Sequence, residues 1–213
     1  MKKNTGLSVN SFIESLILSD FLIFFGLGLL SPIFAIFIST HIRGGGHLEI
    51  IGLATAVYWA VRSATVIPMS RFMDRTDGES DEFIFLIVGS LLASFIPLLY
   101  IWAREPWHIY ILQGLLAVGY SMAVPGWRIL FTNHLDTGKI GYEWSLEDVA
   151  IGASTAISAY VGAVIAERFG FATLFVAISI VCFMGTLLLF PLRHQIKNRK
   201  EIARARKKRI KLS

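Results

Sequence analysis

The run from Phe83 to Ala103 holds twenty-one residues and not one charge. A second run, Phe171 to Leu192, extends over twenty-two residues with the same property. A bilayer core needs about 20 consecutive apolar residues in a helix, more than a soluble core usually supplies. Inside lipid every backbone N–H and C=O must be paired within the protein, which leaves helices and closed barrels as the choices. Barrel strands alternate in segments of about ten residues. These runs do not alternate, so the expected fold class is an all-α membrane protein.

Composition agrees. Of the 213 residues 54% are hydrophobic and 16% charged, against about 25% charged in an ordinary soluble domain. Mean hydropathy is +0.62. Four further candidate spans follow. Phe21 to Thr40 is one, with a helix start as early as Ser11. Ile50 to Met69 is interrupted by Arg62. Trp107 to Phe131 carries only His108 and Arg128. Leu146 to Ala166 is rich in Ala, Gly and Ser. The expectation is six transmembrane helices over residues 11–192, a short N-terminus over 1–10 and a basic tail over 193–213. The basic start MKKNTG lacks a small-residue cleavage site after the first apolar run, so that run reads as a retained span.

Lys and Arg in the flanks set orientation. With six spans both termini share a side. That side receives Lys2, Lys3, Arg71, Arg75, Lys139 and ten basic residues after Leu192, while the other receives Arg43, Arg104 and Arg168. Both termini are expected in the cytoplasm and the protein in the cytoplasmic membrane. The tail reads as a partner for anionic lipid headgroups rather than for nucleic acid, at about 1 kcal/mol per basic residue near the surface.

Charges within spans are costly and mark functional candidates. Arg62 lies about 13 Å into the second span at 1.5 Å per residue. Asp20 reaches a similar depth if the first helix starts near Ser11. The two either form a pair across adjacent helices, or Asp20 sits at the interface while Arg62 snorkels. Gln113 and Tyr120, seven apart, share a helix face. They either bind a solute or hydrogen-bond between helices. Ala150, Ser154, Ser158, Gly162 and Ala166 put a small residue at each turn of the fifth span, a surface for close helix packing. His108 beside Trp107 and Tyr110 belongs to an interfacial aromatic belt. One cysteine, Cys182, and no second His at ligand spacing leave no metal site, cofactor or disulfide expected. No cluster of catalytic groups sits at a membrane face, so an enzyme is not expected.

The charged string Ser70-Arg-Phe-Met-Asp74-Arg75 ends the second span. It resembles the loop motif G-x-x-x-D-R-x-G-R-[RK] of the major facilitator superfamily, with Ser70 and Asp77 in place of its glycines and Glu79 where a basic residue is usual. Gln113-Gly114 followed by Pro125 is similar to the family's R-x-x-Q-G motif, with Tyr110 in place of the Arg. Glu167-Arg-Phe-Gly-Phe171 with Phe175 is similar to its GG-x-x-x-x-x-FG-x-x-x-x-F region, with Gly162 standing for the paired glycines. Gly26 and Pro32 in the first span match the spacing of Gly119 and Pro125 in the fourth, a trace of a three-plus-three inverted repeat.

The resemblance implies a secondary transporter that moves a small solute by alternating access. It also implies a latch, in which Asp74 and Arg75 hold helix ends together, Asp74 accepts from amides or from Arg128, and Glu147 or Asp148 competes for Arg128. Family members carry two six-helix halves and this sequence resembles one. It is therefore expected to homodimerise or to pair with another half; the alternative is a fragment, or a membrane scaffold or partner subunit that transports nothing. Substrate and coupling candidates are Asp20, Arg62, Gln113 and Tyr120.

Overall fold

The first helix begins where an asparagine can cap it. Asn10 has extended backbone, and its side chain accepts a hydrogen bond from the Ile13 N–H at 3.0 Å, which satisfies one of the orphan donors of a helix start. Its Nδ2 donates to the His134 carbonyl at 2.9 Å and to Asp136 at 3.1 Å, tying the chain's entry to the end of a distant helix. The computed structural model describes residues 9–75 and 78–196, and among them every regular element is helical. Lys2, Lys3, Asp77 and the tail beyond residue 196 lie outside the described residues.

From Asn10 the chain forms α1 (Ser11–Gly28), a short 3-10 turn (Ser31–Ile33) and α2 (Phe34–His41). Pro32 lies in the turn, and a proline there cannot donate to the carbonyl four residues back, which interrupts the helix. The first apolar segment thus runs from Ser11 to His41, ten residues earlier than its greasiest stretch suggests. There follow α3 (Leu48–Met73), α4 (Ser80–Leu99), α5 (Pro106–His134) and α6 (Ile140–Leu187). Among the described residues five segments are long and apolar enough to cross a membrane: Ser11–His41, Leu48–Met73, Ser80–Trp102, Pro106–His134 and Ile140–His194.

The fifth and sixth expected spans fall inside α6, a 48-residue run. A straight helix of that length would reach roughly 72 Å, more than twice a bilayer core. Gly170 breaks it with φ 81 and ψ 165, a conformation that glycine adopts at little steric cost. On the first arm Glu147, Ser158 and Gly162 meet Asp20, Gly28 and Leu29 of the first segment in ascending order. On the second arm Cys182 meets Gly26 and Gly185 meets Ser19, in descending order. The arms therefore run in opposite senses beside α1, and α6 folds back at Gly170.

Two apolar cores hold the helices together. One lies at the end where the described chain enters and leaves, and contains Phe12, Leu16, Leu86, Leu130, Phe131, Leu189 and Ile196. The other lies at the opposite, far end, around Phe37, Tyr100, Leu112, Phe175 and Cys182. There Phe37 packs edge-on to Phe175 at 4.8 Å. Lipid tails are as apolar as Leu, so close backbone approach and interhelical hydrogen bonds matter more than hydrophobicity between these helices. Gly126 lies against the Glu82 backbone and Gly162 against that of Leu29. The Ser19 hydroxyl donates to the Gly185 carbonyl at 2.8 Å. Cys182, the chain's one cysteine, is fully buried with its thiol donating to the Ile23 carbonyl at 3.6 Å.

α3 stands apart from this arrangement. Only Ala54 and Met73 of its residues are buried. It leans on α5, where the Thr65 hydroxyl donates to Ser121 at 2.8 Å. At the far end Arg43 pairs with Glu105 at 2.6 Å, joining the first connecting loop to the cap of α5.

Candidate functional site

Between the two cores lie two cavities. The nearer to the chain's entry has a volume of about 210 Å³ and is bounded by α1, α4, α5 and α6. Asp20, Glu147, Asp148 and Arg128 supply its charges, and Trp127 and Trp144 its aromatic wall. The second, about 360 Å³, lies toward the far end and is lined in part by Ser31, Tyr58, Gln113, Tyr120 and Thr155. Phe24 and Tyr120 line both. They form the partition between a chamber that carries carboxylates and one that carries hydroxyls and an amide.

Asp20 is nine residues beyond the start of α1, about 14 Å along the helix axis. The group facing it is Glu147. Glu147 is only 2% exposed, and neither of its carboxyl oxygens receives a hydrogen bond from any N–H or hydroxyl among the described residues. The Asp20 and Glu147 carboxyls stand within hydrogen-bonding reach of each other. Ionised carboxylates are acceptors only, so that contact becomes a hydrogen bond when one of the two carries a proton.

Arg62 has a different environment. Its Nη1 donates to the Tyr58 hydroxyl at 2.6 Å. Its guanidinium carbon lies 5.9 Å from the Tyr58 ring centre, 5.5 Å from that of Trp59 and 5.3 Å from that of Tyr120. The helix sets this up, because Tyr58 and Trp59 precede Arg62 by four and three residues and so share its face. Ser121, hydrogen-bonded to Thr65 and reaching toward the Arg62 carbonyl at 3.4 Å, fixes α3 against α5 at this level.

The structure therefore separates Asp20 from Arg62. Among the described residues no ion pair joins them, since Asp20 faces Glu147 and Arg62 is held by aromatic rings. Gln113 and Tyr120 share the second cavity. Asp74 is exposed and closes the last turn of α3, its N–H donating to the Ser70 carbonyl at 2.9 Å; the Ser70 hydroxyl donates back to Val66. Arg75 beside it is exposed too. Arg128 lines the first cavity with Glu147 and Asp148, and no ion pair joins it to Asp74 among the described residues. Ser154 and Ser158 are fully buried, and Ser158 packs on Gly28. The His108 ring lies 3.9 Å from that of Trp107, tilted by 49°, and its Nδ1 accepts from the Arg104 and Glu105 N–H groups at 3.1 Å. That is a helix-capping role.

From sequence Glu147 figures only as a competitor for Arg128, not as the partner of Asp20, and the aromatic neighbours Phe24, Tyr58, Trp59, Trp127 and Trp144 carry no assigned role. Glu147 carried a signal, an acid next to Leu146 at the start of a span, where charge is costly. Tyr58 and Trp59 carried one in their spacing from Arg62.

No curated protein matches the chain. Among protein families, the model of the Major Facilitator Superfamily matches residues 16–212. That range takes in α1 from Leu16 onward, every later helix, both cavities and the residues of the charged string, and on it the chain belongs to the Major Facilitator Superfamily.

Proposed function

We propose that this membrane transporter of the major facilitator kind moves a small solute together with a proton, using the Asp20–Glu147 pair as the proton-carrying group. The observation that carries the reading is the facing of two carboxyls on the wall of a cavity, with no hydrogen bond to either Glu147 oxygen from a fixed donor. Two carboxylates at such a distance repel if both are ionised, by about 4 kcal/mol at 4 Å for an effective dielectric near 20. One shared proton removes that repulsion, and losing it reinstates the repulsion and pushes α1 from the first arm of α6. Proton binding thereby becomes a force between helices, which is what alternating access needs.

The chain crosses the membrane six times on this reading, as two inverted sets of three. The reversal of α6 at Gly170 and the matched Gly–Pro spacings of the first and fourth spans support it. Both termini face the cytoplasm, on the distribution of Lys and Arg. The solute path runs through the two cavities past Phe24 and Tyr120. A second six-helix unit, a copy of this chain, completes its wall on the side of α3 and the first arm of α6, which expose Trp59, Ile67, Val149, Ile157 and Tyr160. Lipid covers the remaining apolar surface, and the basic tail binds anionic headgroups.

Reconstitution in proteoliposomes tests this. An inward proton gradient should drive solute accumulation and acidify the lumen, and Glu147→Gln should abolish gradient-driven accumulation. Absence of flux for every solute class, with a strict monomer in lipid, would overturn it. A stable hetero-complex that tolerates Asp20→Asn and Arg62→Gln would favour a scaffold instead.

A further inference from the structure

We infer that the solute is a small organic carboxylate with an apolar body, bound through Arg62 and Tyr58 on the aromatic platform at the second cavity. The inference deepens the transport reading and rests on it.

Arg62 carries a full charge within a membrane-spanning segment, and among the described residues no carboxylate lies within ion-pair distance of it. Its surroundings do not neutralise it. A cation–π contact recovers only part of what desolvating a guanidinium costs. An uncompensated charge at membrane depth is unfavourable by more than that even on the mildest scales. The balance leaves the site short of an anion. A guanidinium has five N–H donors, and among the described residues that of Arg62 makes one hydrogen bond, from Nη1 to the Tyr58 oxygen. The Tyr58 hydroxyl, accepting from Arg62, keeps its own proton to donate. Tyr58 and Tyr120 both line the second cavity, while Arg62 adjoins it through these two rings, 5.9 and 5.3 Å from their centres, without lining it. A planar carboxylate would meet the guanidinium fork on one side and the phenol proton on the other, the geometry in which Arg binds more strongly than Lys.

The cavity beside this platform selects the body. Leu27, Leu30, Phe34, Leu116 and Ile178 line it, and the volume of about 360 Å³ falls at the small end of the range for ligand pockets. The carboxylates sit in the other cavity, beyond Phe24 and Tyr120, so an anion here avoids them.

The test is equilibrium binding of matched probes to the full chain in lipid nanodiscs, without any flux. The probes are benzoate and benzamide, 4-phenylbutyrate and 4-phenylbutyramide, and benzylammonium as a cation. Each carboxylate should bind at least tenfold more tightly than its amide. Arg62→Gln should erase that ratio, Arg62→Lys should keep part of it, and Tyr58→Phe should reduce it several-fold. Tyr58→Phe decides the matter if Arg62→Gln does not give a monodisperse protein. Equal affinity for carboxylate and amide, tighter binding of benzylammonium, no saturable binding, or an unchanged ratio in the variants would each overturn the inference. Carboxylate binding without uptake in proteoliposomes would sink transport and leave the binding class standing. Uptake of neutral or cationic solutes that ignores Arg62→Gln would do the reverse.

Discussion

Replacing Gly162 by Ala adds one methyl group at the tightest helix contact of the first arm of α6. A Cβ built there lies 2.6 Å from the Leu29 carbonyl carbon and 2.7 Å from its Cα, with the carbonyl oxygen nearer still. Ordinary carbon contacts sit at about 3.5–4.0 Å, so the first segment and the arm must part by roughly 1 Å. The obstacle is backbone, which cannot swing aside like a side chain. Overpacking of this kind costs about 1–3 kcal/mol. The same substitution also raises helix propensity by about 0.8–1.0 kcal/mol, which would blur a single measurement. Gly152 supplies the control, since it lies in the same arm and a Cβ there meets nothing within 4 Å. In the comparison of Gly162→Ala with Gly152→Ala the propensity gain cancels, and the difference of about 1–3 kcal/mol is the clash alone. Equilibrium unfolding by SDS in mixed micelles, followed by far-ultraviolet circular dichroism, reads it. If Gly162→Ala proves as stable as Gly152→Ala, the arm does not pack against α1 as described.

Asp20→Asn and Glu147→Gln should each abolish proton-driven accumulation while leaving solute counterflow measurable, because binding and helix movement survive without the proton. Tyr120→Ala, which removes both the partition and one face of the Arg62 platform, should weaken solute binding at least tenfold, whereas Tyr120→Phe should change it less than threefold in the same binding assay. Thr65→Val deletes the hydroxyl that links α3 to α5 and should cost about 0.6 kcal/mol in the SDS titration. Arg43→Ala should shift stability by less than about 1 kcal/mol despite its 2.6 Å contact with Glu105, since its side chain is 81% exposed and water screens the pair.

What could be read beforehand follows the physics of lipid. Uncharged runs such as Phe83 to Ala103 have one helical solution, so the helices and their order were legible. Boundaries were less so, because polar first turns such as Ser11 to Glu14 are helical without being apolar. The fold-back at Gly170 lay in a Phe-Gly dipeptide between two apolar runs, whereas the continuous helical character on either side of it was invisible to hydropathy. Within the site, the cost of burying charge singled out Asp20 and Arg62. It said nothing of which helix faces which, and so suggested a pair where the structure has two separate arrangements. Pairing is a tertiary fact: Glu147 reaches Asp20 because Ser158 and Gly162 let the arm approach Gly28 and Leu29. The charged string Ser70 to Arg75 is legible as a family mark, while the exposed position of Asp74 is not.

Cys182 has a practical consequence. A thiol packed against Gly26 and bonded to the Ile23 carbonyl is shielded from reagents in water and in lipid alike, and buried structural thiols are inert. The unaltered chain is thus already its own blank for cysteine labelling. A single cysteine introduced at Ser31 or at Asp148 would give the entire signal, and comparing maleimide reaction from each side of a sealed vesicle would time the opening of either chamber without first stripping the protein of a native residue.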